Sequence, residues 1–136
     1  MLYPSTLPNL DILWNDRDPH WMESQLSDLL EPAANSGRCY YLQLLTQIAR
    51  AQGRQGNYAA AHATLDSVEC ELSDGVEAAR VRCLIERARI LLMQDYPERA
   101  APLLIQALQR SGYYPHLANQ ARQLLDRAEA TCGAAA

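Results

Sequence analysis

Small and large apolar residues recur together along this chain at helical spacing. Ala49, Ala88 and Ala121 are each preceded, four positions earlier, by a leucine. The first two are followed further along by a second alanine and then a second leucine, at Ala61 and Leu65 and at Ala100 and Leu104. Residues four apart lie on the same side of a helix, and alanines let two helices approach closely. The pattern predicts pairs of packed helices and no sheet.

Glycine, proline and asparagine mark the places where these helices reverse. Residues 53–58 hold two glycines and Asn57, which suit the end of one helix and the cap of the next. Residues 94–98 place Asp95 near a cap and Pro97 in the first turn of a helix. The stretches 73–75 and 111–115 separate one hairpin from the next. The chain is therefore predicted to contain two helical hairpins with further helices at both ends.

The regions outside the hairpins are predicted to cover the ends of the array. Asp18–Pro32 is expected to be one helix, with Asp18 as N-cap, Pro19 at the first position and an apolar stripe at Met22, Leu26, Leu29 and Leu30. A short helix at Leu10–Asp16 would cover the open end with Leu13 and Trp14. Alternatively, Trp14 and Trp21 form an exposed interaction patch. Pro115–Ala130 is the expected closing helix, with Leu117, Ala121, Leu124 and Leu125 facing inward.

An Ala-Arg pair marks three of these helices, at Ala49-Arg50, Ala88-Arg89 and Ala121-Arg122. The two steps from one pair to the next (88 − 49 and 121 − 88) are of the size that is typical of helical-hairpin repeats. The predicted organisation is one domain. It comprises N-terminal capping helices in 1–35, repeats in 36–75 and 76–112, a closing helix in 113–131 and a frayed tail in 132–136.

On these residues the chain resembles the tetratricopeptide repeat (TPR) family. Residues 42–75 are similar to one repeat through Leu45, Ile48, Ala49, Gly56-Asn57-Tyr58, Ala61, Leu65 and Val68, and residues 81–112 to a second through Leu84, Ala88, Leu91, Ala100, Leu104 and Ala107. The step between them is longer than is usual in the family, as in TPR arrays of bacterial regulators, and small stand-alone bacterial TPR proteins are similar. The resemblance implies an all-α, right-handed array of antiparallel hairpins, about two full repeats plus capping helices.

Composition narrows the class of protein. The 136 residues carry a formal charge of −4, which argues against non-specific nucleic-acid binding because that needs a basic surface. The first ten residues lack the basic and apolar regions of a signal peptide, and no apolar run approaches the roughly 20 residues of a membrane span. The four cysteines show no zinc spacing. We expect a cytoplasmic protein with free thiols, with Cys70 and Cys83 buried, and no contact with nucleic acid or membrane.

No catalytic motif is recognisable in the sequence. His62 and Asp66 are four residues apart and could align a general base, but a pair on the surface of a helix is the favoured interpretation. No nucleophile elbow, phosphate-binding loop or dinucleotide fingerprint is present. We therefore expect no enzymatic activity, no cofactor and no metal.

The arginine of each Ala-Arg pair follows an alanine that is predicted to be packed. The TPR resemblance implies that this position lies on the concave side of the first helix of each hairpin. Arg50, Arg89 and Arg122 are therefore expected to form a row in a groove. Steps of three or four residues add the other positions expected on the same face, which are Gln43, Thr46, Arg54, Arg82, Ile85 and Met93.

Two interpretations of these arginines remain open. In one, they pair with acids on their own helices, as Arg89–Glu86, Arg82–Glu86 and Arg122–Asp126. In the other, they bind carboxylates of a partner, which is favoured for Arg50 and Arg54 because no acidic residue stands three or four positions from either. Two functions follow. The chain is a protein-binding module or scaffold whose groove takes a peptide, acidic or ending in a free carboxylate, or it is a regulatory domain that associates with a second copy of itself.

Overall fold

The computed structural model describes residues 7–15 and 17–135, and these ranges contain eight helices and no strand. The helices are α1 Leu10–Leu13, α2 Pro19–Ser27, α3 Leu30–Ser36, α4 Arg38–Arg54, α5 Tyr58–Glu69, α6 Glu77–Met93, α7 Pro97–Arg110 and α8 Pro115–Ala135. The predicted all-α class is confirmed.

Helices α4 to α7 form two hairpins of the same design. Helix α4 packs against α5, and α6 packs against α7. A short turn joins each pair (55–57 and 94–96), so the two helices of a hairpin run antiparallel. Arg38 and Glu77 begin α4 and α6, and Tyr58 and Pro97 begin α5 and α7. The two offsets are identical (77 − 38 and 97 − 58), and both equal the predicted step from Ala49 to Ala88.

The recurring alanines lie where these helices meet. Ala49, Ala61, Ala88, Ala100 and Ala121 are fully buried. Helix α4 also packs against α6, and α8 packs against both α6 and α7, so the apolar interior runs through the molecule from α2 to α8. The inward side chains predicted for α8, Leu117, Ala121, Leu124 and Leu125, are all buried in the same cluster as Ala88.

The two hairpin turns share one hydrogen-bonding pattern. The Asn57 N–H donates to the Gln52 carbonyl at 3.0 Å, and at the equivalent place in the second hairpin the Tyr96 N–H donates to the Leu91 carbonyl at 2.8 Å. This is the Schellman ending of a helix, which needs a left-handed residue just before the last donor. Gly56 (φ 82°) and Asp95 (φ 68°) fill that position.

Two details of the first turn differ from the prediction. Asn57 occupies the N-cap of α5, but its side chain makes no capping hydrogen bond, because the cap region is organised by the backbone bonds of the Schellman turn. Gly53 does not stop α4. It lies inside the helix, where an added Cβ would be 3.0 Å from Ile90 Cγ1 of α6, so the missing side chain allows α4 and α6 to approach.

Replacing Gly56 with alanine should lower the free energy of unfolding by about 1–2 kcal/mol, because a left-handed conformation costs that much for a residue with a Cβ. No atom lies within 4 Å of the added Cβ, so the effect would come from the backbone alone. Gly37→Ala is the matched control, since Gly37 is extended and its added Cβ also meets nothing. Urea denaturation of both variants is the measurement, and equal stability would contradict the assignment of the turn.

The N-terminal capping region contains a break that was not predicted. Asp18 caps α2, as expected, by accepting a hydrogen bond from the Trp21 N–H at 2.9 Å, and Pro19 is the first helical residue. The single helix expected over Asp18–Pro32 is wrong, because α2 ends at Ser27 and α3 begins at Leu30. In a continuous helix the ring of Pro32 would collide with the carbonyl of Asp28, four residues earlier.

The first and last elements also differ in length from the prediction. Helix α1 spans only Leu10–Leu13, and Asp16, the predicted end, lies outside the described residues. Leu13 and Trp14 pack against the cluster formed by α2, α3 and α4, while Trp21 is 43% exposed. The frayed tail predicted for 132–136 is replaced by helix as far as Ala135.

All four cysteines are free, but only Cys83 is buried. Burial raises the pKa of the Cys83 thiol to about 12, with a further contribution from the neighbouring Glu69 carboxylate. Cys70 is exposed, and its predicted burial is wrong. It lies just after the end of α5, where the chain leaves the packed interface.

Candidate functional site

The polar residues of interest lie on three helices that lie next to each other. Helix α6 packs between α4 and α8, and the surface that these helices share is called here the α4/α6/α8 face. The three helices begin at Arg38, Glu77 and Pro115, and residues at equal distances from these starts stand at similar levels along the three helices. Two such levels carry the polar residues of the face.

The first level is the Gln-Arg row, formed by Gln43, Arg82 and Gln120. Each lies five positions after the first residue of its helix (43 − 38, 82 − 77, 120 − 115). The second level is the arginine row, formed by Arg50, Arg89 and Arg127, each twelve positions after the helix start (50 − 38, 89 − 77, 127 − 115). The rows are two helical turns apart, which is about 10 Å along the helix axis.

The arginine row lines a small cavity of about 170 Å³, bounded by Arg50, Arg54, Arg89, Met93 and Arg127. Four of these five residues were predicted to share one face. The volume is well below the roughly 300 Å³ at which drug-sized ligand sites begin, but it is sufficient for a single anionic group. Four guanidinium groups around such a space favour a carboxylate or another anion.

Arg122 is not part of this cavity, and its predicted place in the row is wrong. Its side chain is exposed on α8, and Arg127 lines the cavity instead. The Ala-Arg pair of α8 begins only six positions after the helix start, whereas those of α4 and α6 begin eleven positions after theirs (121 − 115, 49 − 38, 88 − 77). The third pair therefore stands more than a helical turn away from the level of the other two.

Arg89 forms the intrahelical pair that the sequence suggested. Its Nε donates to Glu86 Oε1 at 2.8 Å, and its Nη2 donates to Gln120 Oε1 of α8 at 3.0 Å. The Glu86 side chain is only 1% exposed, and Gln47 Nε2 lies 3.3 Å from its other oxygen. Arg89 therefore neutralises a buried carboxylate at the base of the face and links α6 to α8.

The Gln-Arg row binds an acidic residue of helix α1, Asp11. Both terminal nitrogens of Arg82 donate to the Asp11 carboxylate, at 3.0 and 2.8 Å, and Arg82 Nε donates to Gln43 Oε1 at 2.8 Å. Gln120 Nε2 lies 3.4 Å from Asp11 Oδ1, and His116 Nε2 lies 3.5 Å from the same oxygen. Arg82 does not bind Glu86, so that suggested pairing is wrong.

The charge around Asp11 is reflected in its acidity. Burial by itself would raise the pKa of Asp11, but the hydrogen bonds and positive charge of Arg82 outweigh this and hold the pKa below its ordinary value of 3.8. Asp11 is consequently ionised at neutral pH, and its contact with Arg82 is a bidentate ion pair, the geometry in which arginine binds carboxylates best.

Two further predicted groove residues are inaccessible. Thr46 and Ile85 are fully buried, and the prediction that they line an open surface is wrong. Thr46 lies on the flank of α4, where its hydroxyl donates to the Gln43 carbonyl, and Ile85 belongs to the apolar cluster between α6 and α8. The reason is that α4 and α6 each pack against several other helices, so only a narrow strip of the surface of either helix stays accessible.

A larger cavity of about 540 Å³ lies on the other side of α6, between α5 and α7, with Leu84, Arg87 and Leu91 contributed by α6. Arg87 there donates to Asp66 at 2.7 Å and to Glu69 at 2.8 Å. Its Nη1 also lies 2.9 Å from His62 Nδ1. His62 and Asp66 thus both contact Arg87 rather than forming a pair with each other, and two carboxylates already balance this arginine.

Three residues of the face were not predicted from the sequence, Asp11, Gln120 and Arg127. Gln120 and Arg127 could have been found by counting from the expected start of α8 at Pro115, as for α4 and α6. Asp11 carried no comparable signal. Its partner Arg82 is 71 residues away, and no local spacing reports a contact of that separation.

Within the described ranges, no group of three or more histidine, cysteine, aspartate or glutamate side chains could hold a metal ion. Nor does that part of the chain contain a helix with the length and apolar character needed to span a bilayer. No protein-family model, no curated protein and no solved structure matches this chain. The contacts of the α4/α6/α8 face are therefore the basis for assigning a function.

Proposed function

We propose that this chain is a non-enzymatic, TPR-like protein-binding module of the bacterial cytoplasm, and that it binds a partner peptide on the α4/α6/α8 face. The repeated hairpins, with their constant offset and shared turn geometry, support the TPR-like architecture. In such an array the first helices of successive hairpins line the concave side. The α4/α6/α8 face corresponds to that side.

The observation that carries the proposal is the convergence of arginines from three helices on one small cavity. Arginine binds carboxylates in bidentate geometry better than any other side chain, and four arginines line this one space. Arg89 is paired with Glu86 at the base of the face. Such a surface attracts anionic groups, and an acidic side chain or a terminal carboxylate of a partner peptide fits the volume and the charge.

The double substitution Arg50→Ala with Arg54→Ala tests this proposal. We expect the affinity for a fluorescently labelled tetraglutamate peptide to fall about tenfold, since each tenfold corresponds to about 1.4 kcal/mol of lost contact energy. Fluorescence anisotropy at several salt concentrations is the measurement, and binding to the unsubstituted protein should weaken steeply as salt rises.

The matched control is Arg38→Ala with Arg110→Ala. It removes the same charge from two exposed side chains that pair with Glu71 and Glu77 away from the face. Equal losses in both double variants would mean that only net charge matters, and no loss in the Arg50/Arg54 variant would reject the cavity. A stable dimer in sedimentation equilibrium whose association depends on Arg50 and Arg54 would instead support association with a second copy of the chain.

A further inference from the structure

Residues 8–14 lie across the α4/α6/α8 face and touch it in the manner of a bound peptide. At one end, the Tyr40 hydroxyl donates to the Pro8 carbonyl at 2.6 Å. In the middle, Asp11 forms its bidentate pair with Arg82 and is also approached by α8. At the other end, the Arg50 guanidinium lies 4.0 Å from the centre of the Trp14 ring. The segment therefore contacts both the Gln-Arg row and the arginine row.

The segment is held by a small apolar anchor together with polar contacts. Leu10 is buried in the cluster of α2, α3 and α4, and Leu13 and Trp14 pack against that cluster, while Ile12 is 82% exposed. A carbonyl, a carboxylate and an aromatic ring add contacts with polar or charged side chains of the face. These polar contacts specify where the segment binds but add little net stability, because each group also loses its hydration. Because Leu10 is the one buried side chain of residues 7–15, a peptide that carries the same groups can exchange with the segment.

We propose that residues 7–15 are a built-in occupant of the face, which a partner peptide of the same chemistry displaces. That chemistry is an acidic side chain preceded by a leucine and followed, three residues later, by an aromatic ring, as in Leu10, Asp11 and Trp14. The inference rests on the proposed function, since both place a peptide on this face. Beyond the proposed function, the inference specifies the sequence pattern that the partner should carry, and it identifies residues 7–15 as a competitor for the same face.

The covalent link between residues 7–15 and α2 makes the segment a strong competitor for the face. Three residues separate this segment from α2, which packs against α4, so the segment cannot move far from its site. Short tethers give effective concentrations in the millimolar range. A partner peptide must therefore compete with the effective concentration of residues 7–15 at the face. Any change that weakens the Asp11–Arg82 pair should raise the apparent affinity for the partner.

The test uses the full chain with Asp11→Lys, which places a cation opposite Arg82, and Asp74→Lys as control, because Asp74 is exposed in the loop before α6. The probe is a labelled peptide with the sequence of residues 7–15, and a second probe has asparagine in place of its aspartate. We expect the Asp11→Lys variant to bind the first probe at least tenfold more tightly than the unsubstituted chain or the control. The second probe should bind it at least tenfold more weakly than the first.

A second measurement follows the segment itself. In a Trp21→Phe background, Trp14 is the remaining tryptophan, so acrylamide quenching reports its exposure. Asp11→Lys should increase that quenching. In the chain that keeps Asp11, an excess of unlabelled probe should also increase the quenching of Trp14. This probe carries phenylalanine in place of its tryptophan. Asp11→Asn, which keeps the side-chain shape, provides the same test if the lysine variant folds poorly.

Three results would overturn the inference. One is an Asp11→Lys variant that folds, by circular dichroism, but binds the first probe no better than the control. Another is Trp14 quenching that does not respond to excess probe. The third is a concentration-dependent dimer that is lost in Asp11→Lys, which would place the segment on a second copy. The tetraglutamate measurement compares Arg50 and Arg54 with Arg38 and Arg110 and changes nothing in residues 7–15, so failure of the arginine cavity can be distinguished from failure of the Asp11 variants.

Discussion

Replacing Arg89 with methionine is expected to lower the free energy of unfolding by about 3–5 kcal/mol, the usual effect of removing one partner of a buried ion pair. Glu86 is 1% exposed, and Arg89 is its charged partner in the described structure. Without Arg89, the Glu86 carboxylate would remain buried beside Gln47 Nε2 at 3.3 Å. One neutral hydrogen bond does not offset the loss of hydration of a carboxylate. Urea denaturation followed by circular dichroism is the measurement.

The control is the double substitution Glu86→Gln with Arg89→Met. It removes the buried charge together with its partner, so it should recover most of the stability that the single substitution loses. A single variant as stable as the unsubstituted protein would show that Glu86 does not depend on Arg89 for its charge compensation. If the single variant loses stability and the double variant recovers it, Arg89 has a structural role. The binding proposal is therefore tested at Arg50 and Arg54 instead.

Ala88→Leu and Ala49→Leu are each expected to lower the free energy of unfolding by about 1–3 kcal/mol. Both alanines are fully buried, Ala88 against α7 and α8 and Ala49 in the cluster of α4, α5 and α6. Three added carbon atoms at such a contact must push helices apart or force side chains out of their preferred rotamers. Thermal melts and urea titrations measure the loss.

Ala59→Leu is the matched control for these substitutions, because Ala59 is exposed on α5 and leucine is nearly as good a helix former there. Its stability should change by less than about 0.5 kcal/mol. If Ala88→Leu and Ala49→Leu behaved like the control, α6 could not be packed between its neighbours as described.

The fold was predictable because its determinants are local. Four-residue spacing of alanine and leucine specifies the buried stripe of each helix, and a glycine or a proline marks each reversal. The break between α2 and α3 is also encoded in the sequence, in the five residues from Asp28 to Pro32, although a single helix was predicted there. Arg122 was predicted in the arginine row in place of Arg127 because the three helices were aligned on their Ala-Arg dipeptides and not on the first residue of each helix.

The candidate site was predictable only in part. Residues on one helix face share a spacing, so Arg50, Arg54, Arg89 and Met93 could be grouped before the structure was known. The depth of each side chain depends on which neighbours pack beside the helix, and this is why Thr46 and Ile85 were misplaced. The contact of Asp11 with the face depends on the path of the whole chain, which no periodicity encodes.

That path has a consequence for the order of folding. Asp11 meets partners 71 and 109 residues away, whereas each hairpin joins residues that are close in sequence. Closing a long loop costs more conformational entropy than closing a short one, and the contacts that offset this cost form only once the distant surface exists. Residues 7–15 therefore have no complete docking site until α8 has been synthesised, and their contacts with the face form after the helical hairpins.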